Sequence, residues 1–481
     1  MMVGALMLSL ALAGAPQDTL RSTLAVPPPA TLDLATFTRI VRARHPVARQ
    51  ARLARRVAGA ELQMARGVFW DPVANVMWDR KTFGNIAYYD YVVAGVKVMT
   101  PLGIDLKLGY ERTSPDGVFF NPDRRTPASG LLVASVTVPL ARGILTDPRR
   151  TAVTVASELR NAAEADRLAI VNKLLFAAVK DYSAWYEAER RRAVTDTGIV
   201  LAEFRLEAVR QRVGAGDAAA IDTVEARLEL ERRRVQELEA GAAANTARLA
   251  VSQYLWDDDG APLELAAEAR PDLGPLEGSR LDAATVDVLL ARVLRQHPDI
   301  LKAIAKLRQA EAERRLARSE LLPDASLEAA ALGDDATTGL SGGWPSVGNN
   351  YKLGLSAKTS LLLIKERGKF DATRFKTEIA QLELSIISRE VRLAVLAALY
   401  DVGAFESILA RQRAAALLSR ELRDAEVRRF EAGESTLFLV NIRDRALLDE
   451  TLKVVAFEAK LAAARAALAF ALGEPGDEPE R

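Results

Sequence analysis

The distribution of proline constrains this chain more than any other feature of its sequence. The windows 149–261 and 346–474 contain no proline, although the chain of 481 residues contains 20. A shorter proline-free run precedes each window, 47–71 before the first and 299–322 before the second. A region rich in Gly and Pro separates each run from its window. Because proline interrupts helices, each window has room for very long helices. The repeated order predicts a duplicated unit.

Short motifs recur in the same order in both halves. The first half opens with a segment that ends in His45-Pro46, and the second opens with one that ends in His297-Pro298. An Ala-, Arg- and Glu-rich stretch follows each His-Pro pair. Near the end of each long window lies a tight turn, at Gly216 in the first half and at Gly433 in the second. These motifs support the duplication.

Apolar residues in the long windows recur at spacings of three and four, which is typical of packed long helices. We predict antiparallel helix pairs over about 147–255 and 362–472. Asp147 is the predicted N-cap of the first helix, with Pro148 at its first helical position. A second apolar stripe runs beside the first, so each helix has neighbours on two sides, as in a wall or barrel of helices. The charge runs 187–192 and 229–234 are interpreted as solvated helix faces.

The punctuated regions alternate between apolar and polar residues, which predicts strands over about 73–138 and 325–358. Gly103–Arg112 is the clearest example. This pattern fits a transmembrane β-barrel, and it fits equally a soluble sheet with one solvated face. In a barrel, four tyrosines could form an aromatic girdle at the membrane interface: Tyr88, Tyr89, Tyr91 and Tyr110.

Composition excludes several classes of function. The 65 basic and 64 acidic residues nearly balance, which argues against a nucleic-acid binder. The absence of cysteine excludes disulfides, Cys-ligated metals and a cysteine nucleophile. We find no catalytic constellation, no cofactor motif and no metal site. The two histidines, His45 and His297, are assigned a structural role at helix breaks.

The N-terminal segment 1–15 has the apolar run and small-residue pattern of a signal peptide, although it lacks a basic start. The segment 16–31 is interpreted as an extended linker. No other stretch approaches the ~20 uncharged apolar residues of a membrane-spanning helix.

The order of helix, β-hairpin, very long helix, glycine turn and return helix, present twice, resembles the TolC-type outer-membrane efflux proteins over about 32–475. Leu34–Pro46 resembles the opening helix of that family, with His-Pro in place of Asn-Pro. Val138–Gly143 resembles its strand-to-helix exit, and Arg429–Leu437 its helix-turn-helix tip. Ala464–Gly473 is similar to its closing helix.

The resemblance implies a mostly α fold with β structure. A duplicated helix–β-hairpin–long-helix unit would form, as a homotrimer, a periplasmic α-helical barrel continuous with a β-barrel in the lipid of the outer membrane. The first repeat then covers 32–260, a linker 261–280, the second repeat 281–473 and a C-terminal tail 474–481. One departure is an extra hairpin at 92–112, beyond the two strands expected per repeat. The hairpin either joins the barrel or caps it outside.

The family's function implies a channel-tunnel that exports small molecules or proteins from the periplasm to the exterior. It would dock with a periplasmic adaptor (membrane fusion protein) and an inner-membrane pump, without a cofactor, catalysis or nucleic acid. A soluble periplasmic coiled-coil scaffold and an enzyme on a helical bundle are the alternatives. The docking tip would comprise the two glycine turns, that is Gly214, Gly216, Asp217, Gly433, Glu434 and Ser435.

The resemblance also places a periplasmic gate about six to nine residues after each tip glycine. The gate candidates are Asp222, Glu225, Leu439, Asn441 and Ile442. Rings of carboxylates favour cations, and rings of leucine block a pore by dewetting. In an alternative arrangement, Leu439 and Ile442 pack between helices and only the acids face the lumen.

Overall fold

The computed structural model describes residues 31–69, 71–114, 126–144, 146–275, 283–333 and 346–473. The predicted signal peptide, nearly all of the linker after it and the C-terminal tail lie outside these residues. The first repeat consists of β1 (Thr31–Asp33), α1 (Leu34–Arg44), α2 (Pro46–Gly67), β2 (Val73–Phe83), β3 (Ile86–Met99), β4 (Asp105–Thr113), β5 (Leu131–Pro139), α3 (Pro148–Gly214), α4 (Ala220–Ser252) and β6 (Arg270–Asp272). The second consists of α5 (Ala283–Gln296), α6 (Pro298–Ser319), β7 (Asp324–Gly333), β8 (Ser346–Lys358), α7 (Ile364–Glu431) and α8 (Leu437–Leu472).

The two longest helices are unbroken, as the proline-free windows predict. Helix α3 has 67 residues and α7 has 68, so each is about 100 Å long. At the start of α3, the Asp147 carboxylate accepts hydrogen bonds from the backbone N–H groups of Arg149 and Arg150, at 2.7 and 2.9 Å. Pro148 occupies the first helical position, where a missing N–H costs nothing.

The two His-Pro motifs have the same local structure in both repeats. The Nδ1 atoms of His45 and His297 accept hydrogen bonds from the backbone N–H groups of Val47 and Asp299, each at 3.2 Å. Each imidazole therefore caps the N-terminus of the helix that follows, α2 or α6, whose first residue is the proline. This is the structural role that the sequence predicts for the two histidines.

The helices form one layer, a wall with two different edges. On the sheet side, α2 packs on α3, α3 on α6, and α6 on α7. On the far side, α4 packs on α3, α3 on α8, and α8 on α7. Helix α3 therefore lies inside the wall, whereas α2 and α4 form one edge and α7 the other. The predicted duplicated unit is confirmed, and so is the wall of helices.

An aromatic cluster fixes the middle of the wall. Tyr182 and Trp185 of α3 are fully buried, and the Tyr182 ring stacks on Phe37 of α1 with 5.1 Å between ring centroids. The Tyr182 hydroxyl also accepts a hydrogen bond from the backbone N–H of Asp272, at 2.9 Å. This bond ties α3 to the small parallel sheet of β1 and β6.

The six remaining strands form one antiparallel sheet in the order β2-β3-β4-β5-β7-β8. The first repeat thus contributes four strands and the second contributes two. The predicted hairpin 92–112 is present and consists of β3 and β4, which pair from Tyr91 opposite Thr113 to Met99 opposite Asp105. The sheet extends beyond it by β2, which forms a second hairpin with β3 that was not predicted; this extra hairpin β2–β3 is joined by a tight turn at Gly84 and Asn85, which both have positive φ.

Two interpretations from the sequence are wrong. The charge runs are not simply solvated, because Glu189, Glu229 and Arg233 are at most 8% exposed. The four tyrosines do not form one outward row either. Tyr91 pairs with Asp79 across β2 and β3, whereas Tyr110 pairs with Ala94 and so lies on the opposite face of the sheet.

Candidate functional site

One face of the six-stranded sheet is apolar from edge to edge. Residues that pair across neighbouring strands share a face. One such row crosses all six strands, through Ala74, Val96, Leu108, Ala134, Ala331 and Tyr351. A neighbouring row includes Val98, Leu106, Val136, Ala329 and Leu353. Large side chains on this face are open to the surroundings: Leu353 is 66% exposed and Leu355 is 72% exposed.

The opposite face carries charges and hydroxyl groups. Asp105 lies 2.9 Å from Lys97 and 2.9 Å from Arg149, which joins the sheet to the start of α3. Lys352 and Glu328 are 3.7 Å apart, and the hydroxyls of Ser326 and Ser356 are 2.8 Å apart. A sheet that is apolar on one face and polar on the other, with the apolar face uncovered, has the pattern of a lipid-exposed barrel wall around an aqueous lumen.

Both edges of the helical wall expose apolar stripes. The stripe on the sheet-side half of α7 is between 50% and 78% exposed and consists of Phe375, Ile379, Leu382, Ile386, Leu393 and Tyr400. The stripe on α4 is between 50% and 72% exposed and consists of Ile221, Val224, Leu228, Val235, Leu238 and Leu249. Successive residues of the stripes are three, four or seven apart, except Leu238 and Leu249, which are eleven apart, and this spacing is that of a helix-packing seam.

The two repeats treat the same stripe differently. Tyr182 of α3 is fully buried, whereas Tyr400, which lies 218 residues later in the corresponding helix α7, is 78% exposed. Helix α3 is covered by α6 and α8 from the other repeat. The helices of the first repeat that correspond to α6 and α8 are α2 and α4. Within one chain these two helices pack on α3 and form the opposite edge of the wall.

Helix α7 also meets the length and composition criteria for a membrane span, which the sequence analysis did not expect. Helix α7 has 68 residues and contains an apolar stretch of 18 residues, of which only 17% is buried. Helix α7 begins after the sheet and extends along the helical wall; one of its apolar stripes, with Val391 and Val395, is buried, and the exposed stripe lies beside it. The open apolar surface of α7 therefore has the spacing of a helix-packing seam.

The two glycine turns lie side by side at the end of the wall remote from the sheet. Gly216 and Gly433 have φ of 82° and 79°, the left-handed conformation that the turns require. Backbone hydrogen bonds close the helix end at each turn. In the first turn the Asp217 N–H donates to the Arg212 carbonyl at 2.9 Å, and in the second the Glu434 N–H donates to the Arg429 carbonyl at 2.8 Å. The Arg212 guanidinium lies 5.2 Å from the centre of the Phe430 ring, which joins the two turns.

The other tip candidates are mostly exposed. Gly214 is the last residue of α3, and an added Cβ at Gly214, Gly216 or Gly433 would meet no atom within 4 Å. The exception is Ser435, whose hydroxyl donates a hydrogen bond to the buried Glu426 carboxylate. The glycines thus form an open surface above a fixed base.

The gate candidates lie in the first turns of the return helices, α4 and α8. Asp222 and Glu225 are half-buried, and Leu439 and Ile442 are each 40% exposed. Asn441 differs, because it is 3% exposed and its side-chain oxygen accepts a hydrogen bond from Arg205 at 2.8 Å. Asn441 is therefore placed between helices, in contact with α3.

Next to Asn441 is a cluster of buried charges that sequence reasoning missed. Glu229 pairs with Arg233 at 2.9 Å and also with Arg445, and Arg205 pairs with Asp444. Four of these side chains border a cavity of about 440 Å³ between the helix pairs: Arg205, Glu229, Arg233 and Asp444. The missed signal was spacing: Glu229 and Arg233 occupy the same helical stripe as the buried Ala226 and Leu230, so they had to be buried too.

Comparison with known proteins agrees with this geometry. Residues 289–474 match the family model described as Outer membrane efflux protein. No curated protein sequence matches the chain. The fold of the Neisseria gonorrhoeae MtrE outer membrane channel in its open state is similar, with a TM-score of 0.65 and 17% identity over 92% of this chain and 88% of that one.

Two further solved structures have the same fold. The Vibrio cholerae outer membrane protein VceC gives a TM-score of 0.62 at 14% identity, over 92% of this chain and 96% of that one. The Campylobacter jejuni CmeC outer membrane channel gives a TM-score of 0.61 at 12% identity, over 92% of this chain and 87% of that one. The resemblance to the TolC-type proteins is therefore confirmed at two levels: the second repeat matches the Outer membrane efflux protein family in sequence, and the described chain has the fold of these outer-membrane channels.

Proposed function

We propose that three copies of this chain close into one channel through the outer membrane and the periplasm, through which small molecules or proteins leave the cell. The observation that carries the proposal is the uncovered apolar face of a sheet whose two edges, β2 and β8, are open. Six strands are fewer than the smallest barrel of eight. Open strand edges are not tolerated in lipid, so closure requires further copies.

The helical wall supports the same assembly. Its edges are unlike each other, with α2 and α4 on one side and α7 on the other. Unlike edges that fit together make head-to-tail contacts, which form a ring when the rotation closes. Helix α7 of one copy then packs on α2 and α4 of the next. The number of copies, three, follows the TolC-type resemblance.

Membrane fractionation tests the outer-membrane part of the proposal. The full-length protein should sediment with the outer membrane and resist carbonate extraction. A soluble periplasmic scaffold would stay in the supernatant or be released by carbonate, and this result would refute the channel. A double variant, Leu353→Asp and Leu355→Asp, tests the apolar face and should lose membrane integration. The matched variant Lys352→Asp and Ser356→Asp alters the polar face and should remain in the membrane.

The two glycine turns form the proposed docking surface for a periplasmic adaptor linked to an inner-membrane pump. They lie about 100 Å along α3 from the sheet, on the far side from the membrane. Bulk added there projects into open space, so the fold should survive it. Gly433→Trp should abolish efflux while the trimer remains in the outer membrane. Normal efflux by this variant at normal abundance would contradict a docking role.

We assign the periplasmic gate to side chains at the start of the return helices. The half-exposed Leu439 and Ile442 are suited to a ring that blocks the lumen by dewetting, and Asp222 and Glu225 to an acidic ring. Asn441 supports the gate as a buried contact to Arg205. Leu439→Ala should raise the open probability in single-channel recordings, whereas Leu439→Met, with nearly the same volume, should not. An unchanged open probability in the alanine variant would remove Leu439 from the gate.

A further inference from the structure

We propose that the extra hairpin β2–β3 is part of the membrane barrel, and that β2 pairs with β8 of the next copy. Three copies of the six-stranded sheet then close an 18-stranded barrel. This inference rests on the proposed trimeric channel and determines the width of that channel. The alternative is that the hairpin caps the barrel from outside and that β4 forms the edge strand.

The hairpin continues the sheet without a break. Strand β3 pairs with β4 from Tyr91 opposite Thr113 to Met99 opposite Asp105. The apolar face continues onto β2, where Val76 is 77% exposed and Trp78 is 66% exposed. A hairpin that capped the barrel would have to break this register and leave β4 unpaired on one side.

The strand directions also allow closure. All five pairs in the sheet are antiparallel, so β2 and β8 run in opposite directions. When β8 of one copy meets β2 of the next, the new pair is antiparallel as well. Their lengths are similar, 11 residues for β2 and 13 for β8. An even number of strands per copy is what such a ring requires.

The widths of the two halves agree when all six strands are counted. Four helices at ~9.5 Å spacing cover roughly 38 Å of circumference per copy. Six strands ~4.8 Å apart and tilted by about 40° cover roughly 38 Å as well. Four strands would cover only roughly 25 Å by the same spacing and tilt. The six-stranded sheet therefore matches the helical wall below it.

The consequence is a wide pore with an additional polar lining. The face of the hairpin opposite Val76 and Trp78 carries Asn75, Asp79 and Lys97, which lie on the same side as Asp105 and Lys107 of β4. In an 18-stranded barrel these side chains line the lumen. Barrels of 16 to 18 strands leave an open aqueous channel.

Disulfide cross-linking tests the pairing directly, because the chain contains no cysteine. Asn75→Cys or Met77→Cys on β2 is combined with Lys352→Cys, Gly354→Cys or Ser356→Cys on β8, six double variants that sample the register on the polar face. Within one chain β2 and β8 are five strand spacings apart, about 24 Å, too far for a disulfide. Any product therefore joins two copies.

We expect at least one double variant to give covalent dimers and trimers on a non-reducing gel, which dithiothreitol reverses. Lys107→Cys on β4, combined with the same β8 cysteines, should give none. Cross-links from β4 but not from β2, in a protein that mass photometry shows to be a trimer, would overturn the hairpin inference and leave the channel intact. A cysteine-free protein that is monomeric in detergent and in membranes would refute the channel itself.

A second measurement does not depend on the choice of register. Trp78 lies on the apolar face, so brominated lipids should quench the part of the tryptophan fluorescence that is lost in Trp78→Phe. If that part is insensitive to brominated lipids in the trimer, the hairpin is outside the membrane and the inference fails.

Discussion

Truncation of the exposed stripe on α7 should weaken the assembly and leave the folded chain intact. Leu382 and Leu393 are 65% and 55% exposed in the single chain. Full burial of a leucine contributes about 1.5–3 kcal/mol, so the exposed fractions leave about 1–2 kcal/mol for each residue to gain in the assembly. Leu382→Ala with Leu393→Ala removes most of this, about 2 kcal/mol for each interface. Each contact should then be roughly 30-fold weaker.

Mass photometry in detergent over a range of protein concentrations measures this effect. The double variant should dissociate at higher concentrations than the unmodified protein, with an unchanged helical circular dichroism spectrum. Leu361→Ala is the matched control, because Leu361 is 93% exposed but lies outside the stripe, in the loop before α7. If the double variant and the control dissociate alike, α7 does not carry the interface and the reasoning is wrong.

Three further predictions concern stability and selectivity. Gly473→Ala should lower the melting temperature more than Gly433→Ala. Both glycines have positive φ, which costs about 1–2 kcal/mol for alanine, but only at Gly473 would the new Cβ lie 2.6 Å from a neighbouring proline ring. Equal shifts of the melting temperature would contradict this prediction. Burial lowers the pKa of His297, so the folded protein disfavours the protonated imidazole. The stability that this histidine contributes should be fully present above pH ~6.5 and should fall below it. His297→Asn keeps a cap acceptor and should reduce the pH dependence of the melting temperature; an unchanged pH profile would contradict the prediction. Asp222→Asn with Glu225→Gln should reduce cation selectivity, seen as a smaller reversal potential in a salt gradient, and an unchanged potential would place both acids outside the pore.

The duplicated architecture could be predicted because its signals are local. Proline-free windows, the cap at Asp147 and the glycine turns each determine a stretch of backbone without reference to the rest of the chain. The wall of helices followed from the second apolar stripe. The order of strands in the sheet could not be predicted, because alternation shows which face is apolar but not which strands pair.

Burial of individual charges was not predicted either, although the spacing of Glu229 and Arg233 places them on a buried stripe. Glu229 and Arg233 are charged residues in a run of charges, and a solvated face is the usual outcome for such a run. Glu229 is buried with Arg445 of α8 as an ion-pair partner from a distant part of the chain, and Arg233 is buried beside it through its own pair with Glu229. The exposed state of Tyr400 has a similar cause. The corresponding Tyr182 is covered by elements of the same chain, whereas in the proposed assembly the cover for Tyr400 comes from another copy.

The N-terminal strands of the sheet show both outcomes. Strands β3 and β4 were recognised by their alternation, whereas β2 was not recognised as a strand. Val73–Phe83 reads poorly as a strand because Trp78, Asp79 and Arg80 interrupt the pattern near its centre. Pairing with β3 organises this segment in spite of its weak signal.

Single-channel recording in planar lipid bilayers tests the central claim most directly. The purified protein, without adaptor or pump, should insert as a trimer and give discrete conductance steps. Leu439→Ala should keep the step pattern and spend more time open. A trimeric protein that inserts into the bilayer but never conducts, in the unmodified form and in the Leu439→Ala variant, would contradict the account.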